Sequence, residues 1–289
     1  MAAASRPWCA RARLGDSNVV SQGTGGSLEG RREGGRPLFG CPGSRLTPNL
    51  FCAPQPGAGE QGLRVIAGAT AREAAALGLS ATPAFCVYDR HGPTFRVFIS
   101  VRDRAAAAPD ECWVTRCPLC GDQQSFVGQE HAVPVSCRCG ASLQTSGPVW
   151  GGPLHDTAAL SAMAAVASEW GWLTAGRTPT EAASKQRPLS ELLQTLQAEA
   201  RAASCPPFTW HTEEIARHGR LAATPPRAAL INALRERGYP AAASHTGPTA
   251  FKSDASYDTL LATAAHCAAA VARDGRTCAH VGLMTRPPF

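Results

Sequence analysis

Long apolar runs, aromatic residues and lysine are all scarce in this 289-residue chain. No run is apolar enough to span a bilayer, so no membrane role is expected. No secretory h-region is present, so the 12 cysteines do not read as the staples of a secreted module, and a reducing, intracellular compartment is expected. Aromatics reach only 6%, and alanine inflates the 44% hydrophobic content. With lysine nearly absent, arginine carries almost all the positive charge. A net charge of +6 and a pI near 8.8 permit a polyanionic partner without demanding one.

Residues 1–58 read as a low-complexity leader. SQGTGGSLEGRREGG and CAPQPGAGE show no sustained period of 2 or 3.6. The Arg-bearing, acid-free start permits a transit peptide. Gly23–Gly26 imitate a phosphate loop, but no strand precedes them.

From Glu60 the pattern changes. Leu63, Ile66, Thr70, Ala74 and Leu77 share a helical face that Gly78 is placed to stop. In TFRVFISVR, Phe95, Val97, Ile99 and Val101 alternate with Arg96, Phe98, Ser100 and Arg102, a strand with one buried face introduced by a turn at residues 90–93. ECWVTR is a short strand. GPVWGGPLHD reads as a rigid loop ending in Asp156, an N-cap for a helix that turns Leu160, Met163, Val166 and Trp170 to the core. Leu189, Leu192, Leu193 and Leu196 mark another helix. Thr212 caps a short acidic turn, and Pro226 and Gly238 bracket a further helix. The expected fold class is α+β: a small mixed sheet and several helices, with a zinc knuckle inserted between strand and helix. Residues 259–289 form an Ala-rich helix and a flexible tail.

The knuckle carries the strongest chemistry. Cys117 and Cys120, then Cys137 and Cys139, are CxxC and CxC pairs, each followed by a glycine that lets the backbone turn toward the thiolates. Four thiolates leave no open position, so the expected zinc is structural and belongs to a unit at 112–140. CxC is tighter than the usual spacing. His131, between the pairs, is a substitute ligand or a surface histidine.

In this order the landmarks resemble the C-terminal part of the tRNA (guanine-26, N2)-dimethyltransferases. The matching pieces are residues 59–85, TFRVFISVR, the cysteine knuckles, GPVWGGPLHD (147–156), PPFTW (206–210) and LRERGYPAAASHTGPTAFKSDAS (234–256). Val149 and Ser253 depart mildly from the family's usual loops. The resemblance covers roughly 59–258 and implies a C-terminal tRNA-binding domain there. It also implies S-adenosylmethionine as methyl donor to the exocyclic amine of a tRNA guanine. The family's glycine-rich cofactor turn and Asp-Pro-aromatic-Gly segment find no match. Neither a catalytic nor a cofactor-binding residue is therefore assigned, and a separate or missing methyltransferase domain is implied. Under this resemblance the chain mainly supplies tRNA positioning in a nucleus or organelle. A non-catalytic, zinc-stabilised RNA-binding module is the alternative, and a zinc-bearing interaction domain without an RNA role is a third.

The resemblance makes Lys252, His245, Arg96 and Trp150 candidates for RNA contact. Lys252 is a phosphate anchor or an ordinary solvated lysine. Trp150 stacks on a base or buries itself. His155 and Asp156 imitate a catalytic dyad, although an N-cap with a neighbouring histidine is simpler. Glu213 and Glu214 are explained by the carboxylate preference of a first helical turn.

Overall fold

The computed structural model describes residues 57–90, 94–103, 110–127, 133–173 and 188–274. The leader expected at 1–58 lies almost wholly outside them, as do the turn residues 91–93 and the tail beyond 274.

Helix α1 (Ala58–Ala76) ends where Gly78 adopts φ +75° and the Leu79 N–H returns to the Ala74 carbonyl. Its buried face is Glu60, Leu63, Arg64, Ala67, Gly68, Ala71 and Ala74, not the expected stripe through Ile66, Thr70 and Leu77. Small residues win that face because a strand backbone lies against it. A Cβ on Gly68 would stand 2.9 Å from the Trp150 nitrogen.

Strands β1 (Ser80–Asp89) and β2 (Thr94–Arg102) form an antiparallel pair with a bulge between Pro83 and Phe85. Tyr88, Phe95 and Val97 pack with Cys86 against Leu63, Ala67 and Ala71 of α1, and with Trp150 and Leu154. Phe85 and Val87, on the opposite face, meet Leu160 of α2 (Thr157–Glu169) and Leu193 and Leu196 of α3 (Leu189–Arg201). The hairpin is thus held between α1 and the α2–α3 pair. Asp156 caps α2 as its sequence suggests, accepting the Ala158 and Ala159 N–H groups at 2.7 and 2.9 Å. The expected core stripe of α2 is corrected: Leu160 and Ala167 are buried, whereas Met163, Val166 and Trp170 face solvent.

A second sheet, ordered β4–β3–β5, comprises β3 (Glu111–Arg116), β4 (Gln123–Val127) and β5 (Gln144–Trp150). The first half of the expected GPVWGGPLHD loop is therefore strand. A third sheet is ordered β6–β8–β7, from β6 (Trp210–His211), β7 (Ala241–Ala243) and β8 (Ala250–Ser253). It is packed by α4 (Thr212–His218), α5 (Arg227–Glu236) and α6 (Tyr257–Asp274). Here β8 is central, and residues 244–249 join β7 to β8 as a wing-like loop. Thr212 is the first residue of α4 rather than its cap; the N-cap is His211, which makes no side-chain cap bond.

Two expectations are corrected here. The single mixed sheet is three small antiparallel sheets among the described residues. The division at 258 cuts through α6, whose Tyr257, Leu260, Ala264 and Cys267 belong to the main core with Trp210, Leu230 and Phe251. Burial of that apolar face is what holds the helix in place. No helix among the described residues is long and apolar enough to cross a membrane.

Candidate metal centre and buried polar network

The cysteine pairs sit between strands, CxxC joining β3 to β4 and CxC lying between β4 and β5. Each is a tight turn: the Gly121 N–H donates to the Cys117 carbonyl at 3.0 Å and the Gly140 N–H to the Cys137 carbonyl at 2.8 Å. Gly121 and Gly140 both hold φ near +85°, a conformation a side chain resists. The turns bring together sulfurs that lie 17 and 22 residues apart: Cys117 Sγ is 3.5 Å from Cys139 Sγ, and Cys120 Sγ is 3.6 Å from Cys137 Sγ. All four lie within 4.8 Å of one another. A tetrahedron with Zn–S bonds of about 2.3 Å has sulfur–sulfur edges of about 3.8 Å, so the donor set and its dimensions fit that ion. Burial opposes the Cys117 thiolate, but N–H donation from Cys120 and its neighbours prevails and draws the thiol down to about 7. The knuckle is tied to α6, where Tyr257 Oη donates to the Cys120 carbonyl and Arg138 holds the Asp258 carboxylate with two bonds of 2.6 Å. His131 lies outside the described residues.

The motif loops have a different fate from the one their residue types suggest. Trp150, a candidate base-stacking residue, is 4% exposed, packs against α1 and donates from Nε1 to the Pro153 carbonyl at 2.9 Å. Lys252 is 6% exposed, and its Nζ donates to Glu60 Oε1. Arg64 donates to that same oxygen from Nε at 2.8 Å, and from Nη1 to the Trp150 and Gly152 carbonyls at 2.8 and 2.9 Å. Burial opposes ionisation of Glu60, but Lys252 and Arg64 outweigh it and hold the carboxyl below its ordinary value. The phosphate-anchor reading of Lys252 is therefore corrected: its amine is committed to an internal carboxylate. His245 is also buried, its Nδ1 2.9 Å from Glu199 Oε1. Of the four RNA candidates only Arg96 is exposed. It shares a face of β2 with Phe98, itself 41% exposed, and with exposed Arg102.

His155 and Asp156 do not form a dyad. Asp156 caps α2, while buried His155 places Nε2 3.3 Å from Glu199 Oε2. Glu214 pairs with Arg116 and with Arg217, the latter at 2.7 Å, which accounts for it without catalysis. Helical periodicity does not single out Glu60, Arg64 and Glu199, whose helices read only as apolar faces. Their signal was a charge on an otherwise apolar stripe: Glu60 and Arg64 flank Leu63, and Glu199 follows Leu196 by three positions. Such charges are retained in an interior only when paired.

Residues 56–264 match the model of the N2,N2-dimethylguanosine tRNA methyltransferase family. The chain is 30% identical over 203 residues to a tRNA (guanine(26)-N(2))-dimethyltransferase of Methanospirillum hungatei, covering 68% of this chain and 49% of the relative. A protein of the same description from Aeropyrum pernix is 30% identical over 206 residues, 70% of this chain and 47% of that one. Among solved structures, the complex of Trm1 from Pyrococcus horikoshii with S-adenosyl-L-methionine is similar with a TM-score of 0.51 and 25% identity. It covers 72% of this chain and 50% of that chain. The chain thus spans about half the length of the relatives it matches.

Proposed function

Since the chain belongs to the N2,N2-dimethylguanosine tRNA methyltransferase family, we propose that it serves methylation of a tRNA guanine by holding the tRNA in position. The carrying observation is the family match over 56–264, which contains the cysteine knuckles and both motif loops. S-adenosylmethionine supplies the methyl group in this reading. The described residues contribute geometry: a methyl transfer to an amine gains chiefly from orientation and local electrostatics. The substrate places the protein inside the cell, in whichever compartment its tRNA is matured.

Within this reading Cys117, Cys120, Cys137 and Cys139 hold a structural zinc. Its role is to clamp β3, β4 and β5 to α6 through Arg138 and Tyr257, because four thiolates leave no position for water or substrate. The tRNA contact is assigned to the β2 face. Arg96 and Arg102 flank Phe98 on one side of the strand, so two cations and an aromatic surface are presented together, the pairing that single-stranded nucleic acid favours. Lys252, His245 and Trp150 serve the same end from inside, by fixing the hairpin that carries this face.

Nucleoside mass spectrometry of unmodified tRNA, incubated with the purified chain and S-adenosylmethionine, tests the activity. A salt titration of tRNA binding tests the positioning role. Salt-sensitive binding without methylated guanosine identifies this chain as a positioning half. Methylated product assigns it the chemistry too, and no binding at all refutes the reading.

A further inference from the structure

His155, Glu199 and His245 are all at least nine-tenths buried, and their ligand atoms lie within 4.8 Å of one another. Two imidazoles and a carboxylate are a common donor set for a divalent ion. Hydrogen-bond counting argues against an ion here. A histidine bound to a metal through one ring nitrogen carries a proton on the other. Here the outer nitrogens face donors: the Cys86 N–H donates to His155 Nδ1 at 3.4 Å, and the Tyr88 N–H to His245 Nε2 at 3.2 Å. Both outer nitrogens must therefore be lone pairs, and the protons belong on the inner ones. The inner nitrogens donate to Glu199, His155 Nε2 to Oε2 at 3.3 Å and His245 Nδ1 to Oε1 at 2.9 Å. The hydrogen-bond pattern is thus that of two neutral rings in opposite tautomers.

What they hold is a strand edge. Ala84, Cys86 and Tyr88 line the side of β1 that β2 does not occupy. The Ala84 carbonyl accepts the Asp156 N–H at 2.8 Å, and the histidines take the next two N–H groups. The loop before α2 and the wing after β7 thereby dock on β1 where another strand would otherwise pair. The wing's 244–247 segment is buried as a result.

We propose that this cluster is a proton-sensitive latch, holding the wing and the pre-α2 loop on β1 only while both imidazoles are neutral. Protonation of either ring converts an acceptor into a donor facing a backbone N–H. It also upsets a balanced interior. The groups facing the cluster are Glu199 from α3, Glu60 and Arg64 from α1, Lys252 from β8 and the Cys86 thiol from β1. Two carboxylates oppose two cations, so an added imidazolium, although it touches Glu199, leaves the interior with one net positive charge. Burial keeps the Cys86 thiol neutral, pushed up to about 12, so it supplies no compensating charge. Burial opposes ionisation of the Glu199 carboxyl, but attraction to His245 and the hydrogen bonds from both rings outweigh it and hold it well below its ordinary value.

Long-range proton–nitrogen NMR of the histidine rings in the full chain tests this, with amide exchange at Cys86 and Tyr88 followed from pH 7.5 to 5.5. The expected result is His155 protonated at Nε2 and His245 at Nδ1. Protection of both amides should then fall by about tenfold per pH unit through the range where imidazoles titrate. In His245→Gln the amide oxygen reaches Tyr88 and cannot titrate, so Tyr88 is expected to lose that slope while Cys86 keeps it. A doubly protonated ring at pH 7.5, or protection that does not change down to pH 5.5, overturns the latch. Ring nitrogens that shift on adding zinc beyond the thiolate equivalent overturn it in favour of a metal site.

Discussion

Lys252 and Glu60 stand 192 residues apart in the chain and meet in the interior, joining β8 to the first turn of α1. Neither is accessible to a bound polyanion. Lys252→Met is therefore expected to destabilise the fold by about 3–5 kcal/mol, the cost of leaving a buried carboxylate with one partner fewer. The salt slope of tRNA binding should stay unchanged in whatever fraction remains folded. Denaturant titration and binding isotherms on the same preparation check both statements.

Arg96 and Arg102 should show the opposite behaviour. Alanine at both is expected to leave the melting temperature within a degree or two of the parent, because exposed charges contribute little to folding. It should lower the slope of log affinity against log salt by about 0.7–0.9 for each phosphate contact removed. An unchanged slope would reassign the tRNA face.

Acid should act on Glu60. Its carboxyl is held below the ordinary value in the folded state, so the unfolded chain binds protons first. The stability it contributes is fully present above the ordinary carboxylate range and is lost as pH falls through and below it. Glu60→Gln should be less stable at neutral pH and show a flatter stability curve between about pH 5 and 3. Thermal melts across that range decide the matter.

Cys139 is the most exposed of the four thiols and the easiest to alter without disturbing the core. Cys139→Ser is expected to reduce bound zinc from one equivalent to a small fraction, measured by elemental analysis. A lower melting temperature should accompany the loss, because the ion's binding energy is folding energy.

Gly68→Ala should cost about 1–3 kcal/mol despite alanine's higher helix propensity. The added methyl would meet the Trp150 backbone nitrogen at 2.9 Å, and a strand backbone has little room to yield. A stabilised variant would show that α1 can shift away from β5.

Local chemistry was legible. Asp156 before an apolar run caps α2, Gly78 and Gly238 end helices with positive φ, and TFRVFISVR forms β2, although Val101 of its expected buried face is exposed. Each depends on neighbours within a few residues, where stereochemistry and short hydrogen bonds decide. The cysteine knuckles belong to the same class, because two tight turns need only their own glycines to present sulfur. The family, too, was readable from the motif loops, since the residues that carry it are contiguous in the chain.

What the motif residues do was decided only by tertiary structure. Lys252, His245 and Trp150 have the composition of a binding surface, but partners 192, 46 and 86 residues away bury all three. The exposed stripe of α2 failed for the same reason in reverse: Met163, Val166 and Trp170 keep the helical period, but none of them joins a buried core cluster among the described residues, and Trp170 meets the likewise exposed Trp172 ring. Periodicity states which side chains share a face. Whether that face meets water or another element is set by long-range packing, and a buried charge is retained only where distant backbone and side-chain groups converge to satisfy it.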